Sequence, residues 1–305
     1  MKTLVPPIYD IKNTKIWKKK LKEEGYVVIK DILTNDEKNI IYNQFKKDLN
    51  TVSPNFDLNN HESWTIENTP IMFGKGMAVF NGFGQSDFMW MLRLNKNIQK
   101  IYQKIYKTKK LVTSFDGFSL YVSKKQKSKP WLHIDQNPKN DIYSVQGQYN
   151  FFEVGSKDSG FVIIPKTHKT FVPNVNNMND WCVLKQEDLE SLDEPVKLVI
   201  PENCFTLWDS KLVHANTFIT KKEVTTINRV TAYITYLPRK FQTQDVKDKR
   251  IQAYKDSKTT SHWANKCEIK KYPYGFGPRY ETRGYNNISA RLENGNIPKD
   301  RLTLI

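Results

Sequence analysis

Two residues that can hold a metal ion lie two positions apart in the segment 131–135, WLHID. In a β-strand, residues i and i+2 point to the same face, about 7 Å apart along the chain. His133 and Asp135 can therefore converge on one ion, while Leu132 and Ile134 face the opposite layer. Many ordinary strands carry a polar face with this pattern, so the pair alone does not define a metal site.

A metal held by two side chains is weakly bound, so a third ligand is needed from elsewhere. The other four histidines of the chain are His61, His168, His214 and His262. His214 is the best candidate, because the segment 204–218 (CFTLWDSKLVHANTF) indicates a strand, a turn and a second short apolar run that reaches this residue. His168 lies in a predicted loop. Two histidines and one carboxylate form the facial triad of non-haem Fe(II) oxygenases, which leaves coordination positions open.

The elements that position these residues follow from the apolar periodicity. A β-branched strand is predicted over 26–29, and a helix follows it, with Thr34 as N-cap and Glu37 completing a capping box. A second helical region spans about 86–108. From about residue 111 the pattern changes to short strands, which are LVTSF, FSLYV, WLHID, YSVQGQYNFFEV, GFVIIP, VKLVIP, CFTLW and RVTAYITYL.

Many short strands after a helical preface predict a mainly β chain with flanking helices, built on a double-stranded β-helix (jelly-roll, cupin-like) core. A length of 305 residues allows one large domain or two small ones. We expect a single domain over 1–305, with a helical support region at 1–110. The core with the metal site is expected at 111–240, and a C-terminal extension packed on it at 241–305.

The composition excludes several classes of protein. Hydrophobic residues make up 38% of the chain and aromatic residues 12%, enough for a substantial core. No run of 18 apolar residues predicts a membrane span, and the N-terminus lacks the apolar segment of a signal peptide. Three cysteines without paired spacing argue against a disulfide framework and a cysteine zinc site. These features predict an intracellular, cytoplasmic protein.

The formal charge of +16 comes mainly from lysine, because 48 basic residues less eight arginines leave 40 lysines. Solvated surface is the favoured interpretation. The alternative is an acidic partner such as nucleic acid or a phosphorylated substrate. Arginine binds phosphate groups better than lysine does, because its planar guanidinium can form two parallel hydrogen bonds. Since arginine is scarce here, a nucleic-acid partner is not favoured. The loop 123–130, which begins SKKQKSK, either recruits an anionic small substrate or is simply solvated.

Five segments resemble, in order, those of the phytanoyl-CoA dioxygenase-like family of Fe(II)/2-oxoglutarate oxygenases. GYVVIKDILTNDEKNII resembles the opening strand and helix of that family, and WLHID matches its H-x-D motif. DSGFVIIPKTHK and LWDSKLVHAN resemble the segments before and around the distal histidine. NRVTAYITY resembles the strand whose arginine binds 2-oxoglutarate. The resemblance extends from about Gly25 to Tyr236.

The resemblance implies a role for each matching residue. His133, Asp135 and His214 become the catalytic metal ligands, and Arg229 becomes the partner of the far carboxylate of 2-oxoglutarate. Gln148 aligns with a position that lines the co-substrate pocket, and Asn216 with one that helps to hold the same carboxylate. For these two, ordinary strand or loop polarity explains the residue equally well. The implied cofactors are Fe(II), 2-oxoglutarate and O2, and the implied reaction is C–H hydroxylation of a small, unidentified substrate with release of succinate and CO2.

The chain departs from the family pattern in three places. His214 and Arg229 are fifteen residues apart, a long spacing that TKKEV creates. Ala215 replaces the usual glycine, and PKTH replaces PGSH, so His168 is not expected to be a ligand. Asp135 is present, which favours hydroxylation over halogenation. Two alternatives stay open, a non-catalytic jelly roll that binds a ligand or partner and a cupin-type isomerase with another metal.

Overall fold

The computed structural model describes residues 1–65, 67–73, 76–121, 131–173, 179–217, 227, 229–271 and 286–305. The chain divides into two compact units. Unit 1 consists of Met1–Ile32 and Tyr121–Val230, and unit 2 of Leu33–Leu120 and Thr231–Ile305. All residues expected at the metal and co-substrate site belong to unit 1. A single domain over 1–305, with inner boundaries at 110 and 240, stays a prediction.

The described chain is mostly sheet with flanking helices, which confirms the predicted mainly β class. Its strands are β1 (Lys2–Leu4), β2 (Ile8–Tyr9), β3 (Tyr26–Ile29), β4 (Met77–Ala78), β5 (Leu111–Thr113), β6 (Phe118–Tyr121), β7 (His133–Ile134), β8 (Val145–Asn150), β9 (Gly160–Ile163), β10 (Cys182–Val183), β11 (Val196–Leu198), β12 (Cys204–Asp209), β13 (His214–Thr217), β14 (Arg229–Tyr233) and β15 (Tyr236–Pro238). Its helices are α1 (Thr14–Glu24), α2 (Asn35–Val52), α3 (Asp87–Leu94), α4 (Lys96–Tyr106), α5 (Thr167–Thr170), α6 (Gln186–Glu190), α7 (Gln244–Lys255) and α8 (Lys299–Leu302). None of the helices in the described ranges has the length and apolar character needed to cross a bilayer.

Unit 1 contains a six-stranded sheet in the order β1-β11-β9-β13-β7-β10. The strands pair antiparallel except β1 and β11, which run parallel. One face of this sheet packs into an apolar cluster that includes Leu132, Ile134, Val213 and Ala215. Because these residues alternate with His133, Asp135 and His214, the polar side chains project from the other face.

Unit 1 also contributes the neighbouring strands β2-β3-β12-β8, in that order, to a second sheet. β12 pairs antiparallel with β8 along its whole length, and Trp208 lies opposite Gln146 and Thr206 opposite Gln148. Every residue of β8 and β12 is buried. The two glutamines of β8 are two positions apart and therefore share one face with Thr206 and Trp208.

Gly25 makes a tight connection between α1 and β3. Its φ of +83° ends the helix in the left-handed conformation that glycine adopts without steric cost. A Cβ atom at this position would lie 2.5 Å from Nδ1 of His168 and 2.6 Å from Cδ1 of Leu212. The carbonyl oxygen of Gly25 also accepts a hydrogen bond from the N–H of Asp209 at 2.8 Å. The Gly25 turn therefore fixes the end of β12, from which the chain continues to β13.

In unit 2, α2 begins with the predicted capping box. The N–H of Glu37 donates to Oγ1 of Thr34, and the N–H of Thr34 donates to Oε2 of Glu37. The helical region expected over 86–108 is two helices, α3 and α4. Asn95 separates them, because its extended backbone breaks the first helix while its side chain caps the second through Asn97 N and Ile98 N.

We expect Thr34→Ala to lower the free energy of unfolding by about 1 kcal/mol, since the N–H of Glu37 loses its acceptor. Urea denaturation followed by circular dichroism measures the change. The matched control is Thr51→Ala in the last turn of the same helix, where the exposed hydroxyl donates to Lys47 O. Equal losses for the two variants would contradict a stabilising capping box.

Candidate metal centre

His133, Asp135 and His214 meet on the polar face of the six-stranded sheet. Among the described residues they are the one group of three His, Cys, Asp or Glu side chains with ligand atoms all within 4.8 Å of one another. Nε2 of His214 lies 3.1 Å from Oδ2 of Asp135, and Nε2 of His133 lies 3.7 Å from Oδ1. All three side chains are buried. The structure thus brings the favoured third histidine to the H-x-D pair, while their role as metal ligands stays a prediction.

The backbone of two neighbouring strands positions this group. His214 on β13 lies directly opposite His133 on β7, and the two ring centroids are 4.3 Å apart. Asp135 follows β7, and its N–H donates to the carbonyl of Ser210 at 3.0 Å. The turn between β12 and β13 therefore fixes the carboxylate and delivers His214 at the same time.

The hydrogen bonds of the two imidazoles fix which nitrogen faces the carboxylate. Nδ1 of His133 lies 2.9 Å from Trp131 O, and Nδ1 of His214 lies 2.8 Å from Leu212 O. A carbonyl oxygen can only accept, so Nδ1 carries the proton and Nε2 is the basic nitrogen of the neutral ring. Two such nitrogens and a carboxylate repel one another unless a cation lies between them. The donor set therefore fits a metal ion, and a protonated histidine paired with Asp135 is the alternative.

Gln146 of β8 contacts the candidate carboxylate ligand. Its Nε2 donates to Oδ2 of Asp135 at 2.8 Å, and both side chains are buried. A side chain that bonds a metal-binding carboxylate orients it and tunes its affinity for the ion. Gln146 thus holds Asp135 from the second sheet of unit 1.

Arg229, Gln148 and Asn216, the three residues expected to bind the co-substrate, contact one another. The guanidinium of Arg229 donates to Oδ1 of Asn216 at 2.8 Å and to Oε1 of Gln148 at 3.1 Å. Its carbon also lies 5.8 Å from the centre of the Tyr121 ring. Arg229 is 1% exposed, so it is not a surface arginine. Binding of 2-oxoglutarate by these residues stays a prediction.

β13 and β8 each carry one residue at the candidate metal ligands and, two residues later, one residue that contacts Arg229. On β13, His214 belongs to the metal group, and Asn216, two residues later, contacts Arg229. On β8, Gln146 contacts Asp135, and Gln148, two residues later, contacts Arg229. One step of two residues along a strand is about 7 Å. A short dicarboxylate can bridge such a distance with one end at the metal and the other at the guanidinium.

Three buried polar atoms on β8 and the adjacent strand β12 have no hydrogen-bond partner within the described chain. They are Nε2 of Gln148, Oγ1 of Thr206 and Nε1 of Trp208. Arginine can only donate, so Oε1 of Gln148 must face Arg229 and its NH2 group must point away. Buried donors of this kind are costly unless a ligand or water satisfies them. They therefore support a polar ligand such as 2-oxoglutarate between the two sheets of unit 1.

Aromatic side chains surround the two histidines. The Trp131 ring stacks on His133 with centroids 4.2 Å apart, and the Trp208 and Phe161 rings lie 5.5 and 5.6 Å from the ring of His214. Apolar walls exclude water and lower the local dielectric constant, which strengthens interactions between a metal and its ligands.

Burial shifts two titratable groups on β12. It raises the pKa of the Asp209 carboxyl, and the N–H of Lys211 and the nearby His168 partly offset this effect. It also raises the pKa of the Cys204 thiol to about 12. Cys204 is therefore a thiol at neutral pH, and the thiol is much less nucleophilic than the thiolate.

The other three histidines belong to other elements of the described chain. His168 is in α5, and its Nε2 lies 3.1 Å from Lys22 O beside the Gly25 turn. His61 is an exposed residue in a short 3-10 helix of unit 2, and His262 lies in the described tail of that unit. None of them joins the described three-residue group.

Two sequence predictions fall outside the described residues. The lysine-rich loop 123–130, expected to recruit an anionic substrate, lies within 122–130. The long turn before Arg229, with Lys221 and Lys222, lies within 218–226. Arg229 itself begins β14 at the expected strand, and it contacts the two residues that the resemblance places with it.

The sequence reasoning missed Gln146, Thr206 and Trp208. Gln146 and Gln148 share a strand face, so the period of two that linked His133 to Asp135 also points from Gln148 to Gln146. Thr206 and Trp208 lie in an apolar strand, and their position opposite the two glutamines depends on the pairing of β12 with β8. No local signal predicts that register.

Comparison with protein-family models gives no match. One curated relative, the "Ava biosynthesis cluster protein O" of Aspergillus versicolor, is 24% identical over 255 residues, which cover 75% of this chain and 79% of the relative.

Two solved structures show a similar fold. The epimerase SnoN, crystallised with Fe3+, alpha ketoglutarate and nogalamycin RO, has a TM-score of 0.51 at 12% identity, over 73% of this chain and 83% of SnoN. The non-heme alpha ketoglutarate dependent carbocyclase SnoK from nogalamycin biosynthesis has a TM-score of 0.51 at 13% identity, over 75% and 86% of the two chains. The chain thus shares its fold with these two enzymes, and the predicted jelly-roll core is confirmed.

We expect Gln146→Ala to weaken Mn(II) binding by about 10- to 100-fold, because Asp135 loses the donor that orients it. Isothermal titration with Mn(II) measures this affinity. Gln148→Ala, on the same face of the same strand, is the control and should leave Mn(II) affinity nearly unchanged. Equal effects of the two substitutions would show that Gln146 acts through the strand and not through Asp135.

Proposed function

We propose that the chain is an Fe(II)/2-oxoglutarate-dependent dioxygenase of the phytanoyl-CoA dioxygenase-like kind, which hydroxylates a C–H bond of a small substrate. The observation that carries this proposal is the convergence of His133, Asp135 and His214, with both Nδ1 atoms directed at carbonyl oxygens. This arrangement presents two nitrogens and a carboxylate to one ion and matches the facial triad.

When bound, Fe(II) and 2-oxoglutarate together supply the oxidation, in which O2 is consumed, succinate and CO2 are released and an oxygen atom reaches the substrate. His133, Asp135 and His214 hold the metal. Gln146 keeps the Asp135 carboxylate in its orientation. The aromatic rings of Trp131, Trp208 and Phe161 keep water away from the two histidines.

Arg229 binds the far carboxylate of 2-oxoglutarate in this proposal. A guanidinium presents parallel N–H donors that fit a carboxylate in a bidentate fork. Asn216 and Gln148 hold the guanidinium in place through their amide oxygens. The NH2 group of Gln148 and the hydroxyl of Thr206 then supply further hydrogen bonds to the bound co-substrate.

The comparisons support the class of enzyme and leave the outcome of the oxidation to experiment. SnoN is an epimerase and SnoK is a carbocyclase, and both enzymes depend on alpha ketoglutarate. We propose hydroxylation rather than halogenation because Asp135 completes the triad. Incubation of a cell extract with the enzyme and ¹⁸O2, followed by mass spectrometry, distinguishes an inserted oxygen from epimerisation or ring closure and identifies the substrate.

Two other functions remain as outcomes of the same tests. A non-catalytic jelly roll would bind neither metal nor 2-oxoglutarate, and a cupin-type isomerase would bind a metal without consuming 2-oxoglutarate. We place the protein in the cytoplasm, because a reducing compartment preserves Fe(II) and because Cys182, Cys204 and Cys267 are all free thiols.

We expect the purified protein to bind one Fe(II) or Mn(II). His133→Ala, Asp135→Ala and His214→Ala should each abolish metal binding and the conversion of 2-oxoglutarate to succinate, because a site with two ligands holds the ion weakly. Metal analysis and a succinate assay measure the two effects. His168→Ala is the control and should retain both. Full succinate production by His214→Ala would refute the assignment of the triad.

We expect Arg229→Ala to raise the KM for 2-oxoglutarate by about ten- to a hundredfold, since a charge-assisted hydrogen bond contributes about 1.5–3 kcal/mol. Mn(II) binding should stay nearly intact, because the arginine is not a ligand. Arg229→Lys should restore part of the affinity, as a point charge cannot replace the planar fork. Arg291→Ala, at an exposed arginine of unit 2, is the control. An unchanged KM in Arg229→Ala would exclude this arginine as the carboxylate partner.

A further inference from the structure

Trp181 is a large apolar side chain that stands exposed beside the candidate metal centre. It is 53% exposed, whereas the rings of Trp131 and His133 next to it are largely covered. Its ring centroid lies 6.2 Å from that of His133 and 6.2 Å from that of Trp131. An exposed indole at this distance from a candidate ligand borders the space in which a substrate would meet the metal.

The backbone around Trp181 is fixed on both sides. Residues of β10 pair with β7, with Val183 opposite His133 and Cys182 opposite Ile134, and the N–H of Leu184 donates to Leu132 O. On the other side, the carboxylate of Asp180 accepts hydrogen bonds from Asn137 N and from Nδ2 of Asn140. The indole therefore projects from a segment that is tied to the metal-bearing strand.

The register of β10 places its apolar side chains on the metal face. Val183 lies opposite His133, so both side chains point to the same face, and Trp181, two residues earlier, shares it. Cys182, between them, packs against the apolar cluster on the opposite face. Val183 is 40% exposed. β10 is the last strand in the sheet order, so Val183 and Trp181, the residue before the strand, are two exposed apolar side chains at the border of the site.

We propose that Trp181, with Trp131 and Val183, forms a platform that binds a flat, unsaturated ring system of the substrate next to the metal. This inference rests on the proposed function and names the substrate class for that site. Aromatic rings stack or meet edge to face at centroid distances of about 4.5–7 Å, and Trp181 offers such a surface. A saturated ring has no π face, so it lacks the additional attraction that an aromatic pair gains beyond buried area.

The rigidity of the platform favours a ring over a flexible chain. A tryptophan has two side-chain torsions, so it loses little conformational entropy when a ligand covers it. Trp131 is already stacked on His133, with an interplanar angle of 20°, and also packs against the apolar cluster of the sheet, so it forms the fixed inner part of the platform. A ring that covers Trp181 would therefore bring its neighbouring C–H groups toward the metal group.

The test uses two uncharged probes with the same carbon skeleton, 2-naphthol, which is flat and aromatic, and 2-decalol, which is saturated. Isothermal titration of the protein loaded with Mn(II) and 2-oxoglutarate measures their affinities. We expect 2-naphthol to bind, 2-decalol to bind at least about tenfold more weakly, and Trp181→Ala to weaken 2-naphthol binding by about tenfold. Trp181→Phe should restore most of the affinity, because it keeps an aromatic face.

The matched control is Ile40→Ala, which truncates an exposed apolar residue of α2 in unit 2 and should leave all affinities unchanged. Bound Mn(II) should also broaden the NMR lines of 2-naphthol, and Trp181→Ala should remove this broadening at the same probe concentration. Broadening reports proximity to the metal, which a purely structural role of Trp181 would not produce.

Three results of the titrations would overturn the proposed platform. They are the absence of 2-naphthol binding by the parent protein, equal binding of the two probes, and unchanged 2-naphthol affinity in Trp181→Ala. If 2-naphthol bound to the protein with Mn(II) in place but its NMR lines were not broadened, the proposal would also be overturned. The probe would then bind far from the metal, for example on a surface that serves a protein partner. A separate titration with Mn(II) and without probe tests the proposed function. If the unsubstituted protein binds no Mn(II), the proposed function itself fails.

Discussion

The candidate site depends on one backbone pairing, that of β13 with β7, which sets His214 opposite His133. Successive residues of a strand alternate between faces, so a shift of one residue would turn His214 into the apolar layer and bring Val213 or Ala215 to the metal face. The cluster that contains Leu132, Ile134, Val213 and Ala215 opposes such a shift. Burial of the apolar residues between the ligands thus keeps the ligands in register.

The site buries polar side chains, and hydrogen bonds from the second sheet offset the free-energy cost of this burial. Asp135, Gln146, Gln148 and Arg229 are all buried, and buried polar groups destabilise a fold unless they are hydrogen-bonded. Gln146 bonds Asp135, and Gln148 bonds Arg229. Gln146 and Asp135 therefore satisfy each other across the two sheets, and the buried polar atoms that lack a partner in the described chain support the proposed binding of a polar co-substrate.

Much of the local structure could be predicted from the sequence, because short-range geometry determines it. The strand Tyr26–Ile29 and the capping box of Thr34 and Glu37 follow from β-branched residues and from the reach of a side chain to its own backbone. The break at Asn95 was not predicted, although asparagine is a good N-cap, because the apolar periodicity continues on both sides of it. The two compact units could not be predicted, since each combines segments that are distant in sequence.

The sequence by itself determined which residues share a strand face, and so it linked His133 with Asp135 and favoured His214 as the third ligand. The family resemblance, also carried by the sequence, singled out Arg229, Gln148 and Asn216. The tertiary structure alone decided which strands are neighbours. It placed Gln146 on Asp135, Thr206 and Trp208 opposite the two glutamines, and Trp181 beside His133. The physical reason is that side-chain alternation is a property of each strand, whereas pairing and register result from burial and hydrogen bonding between segments far apart in the chain.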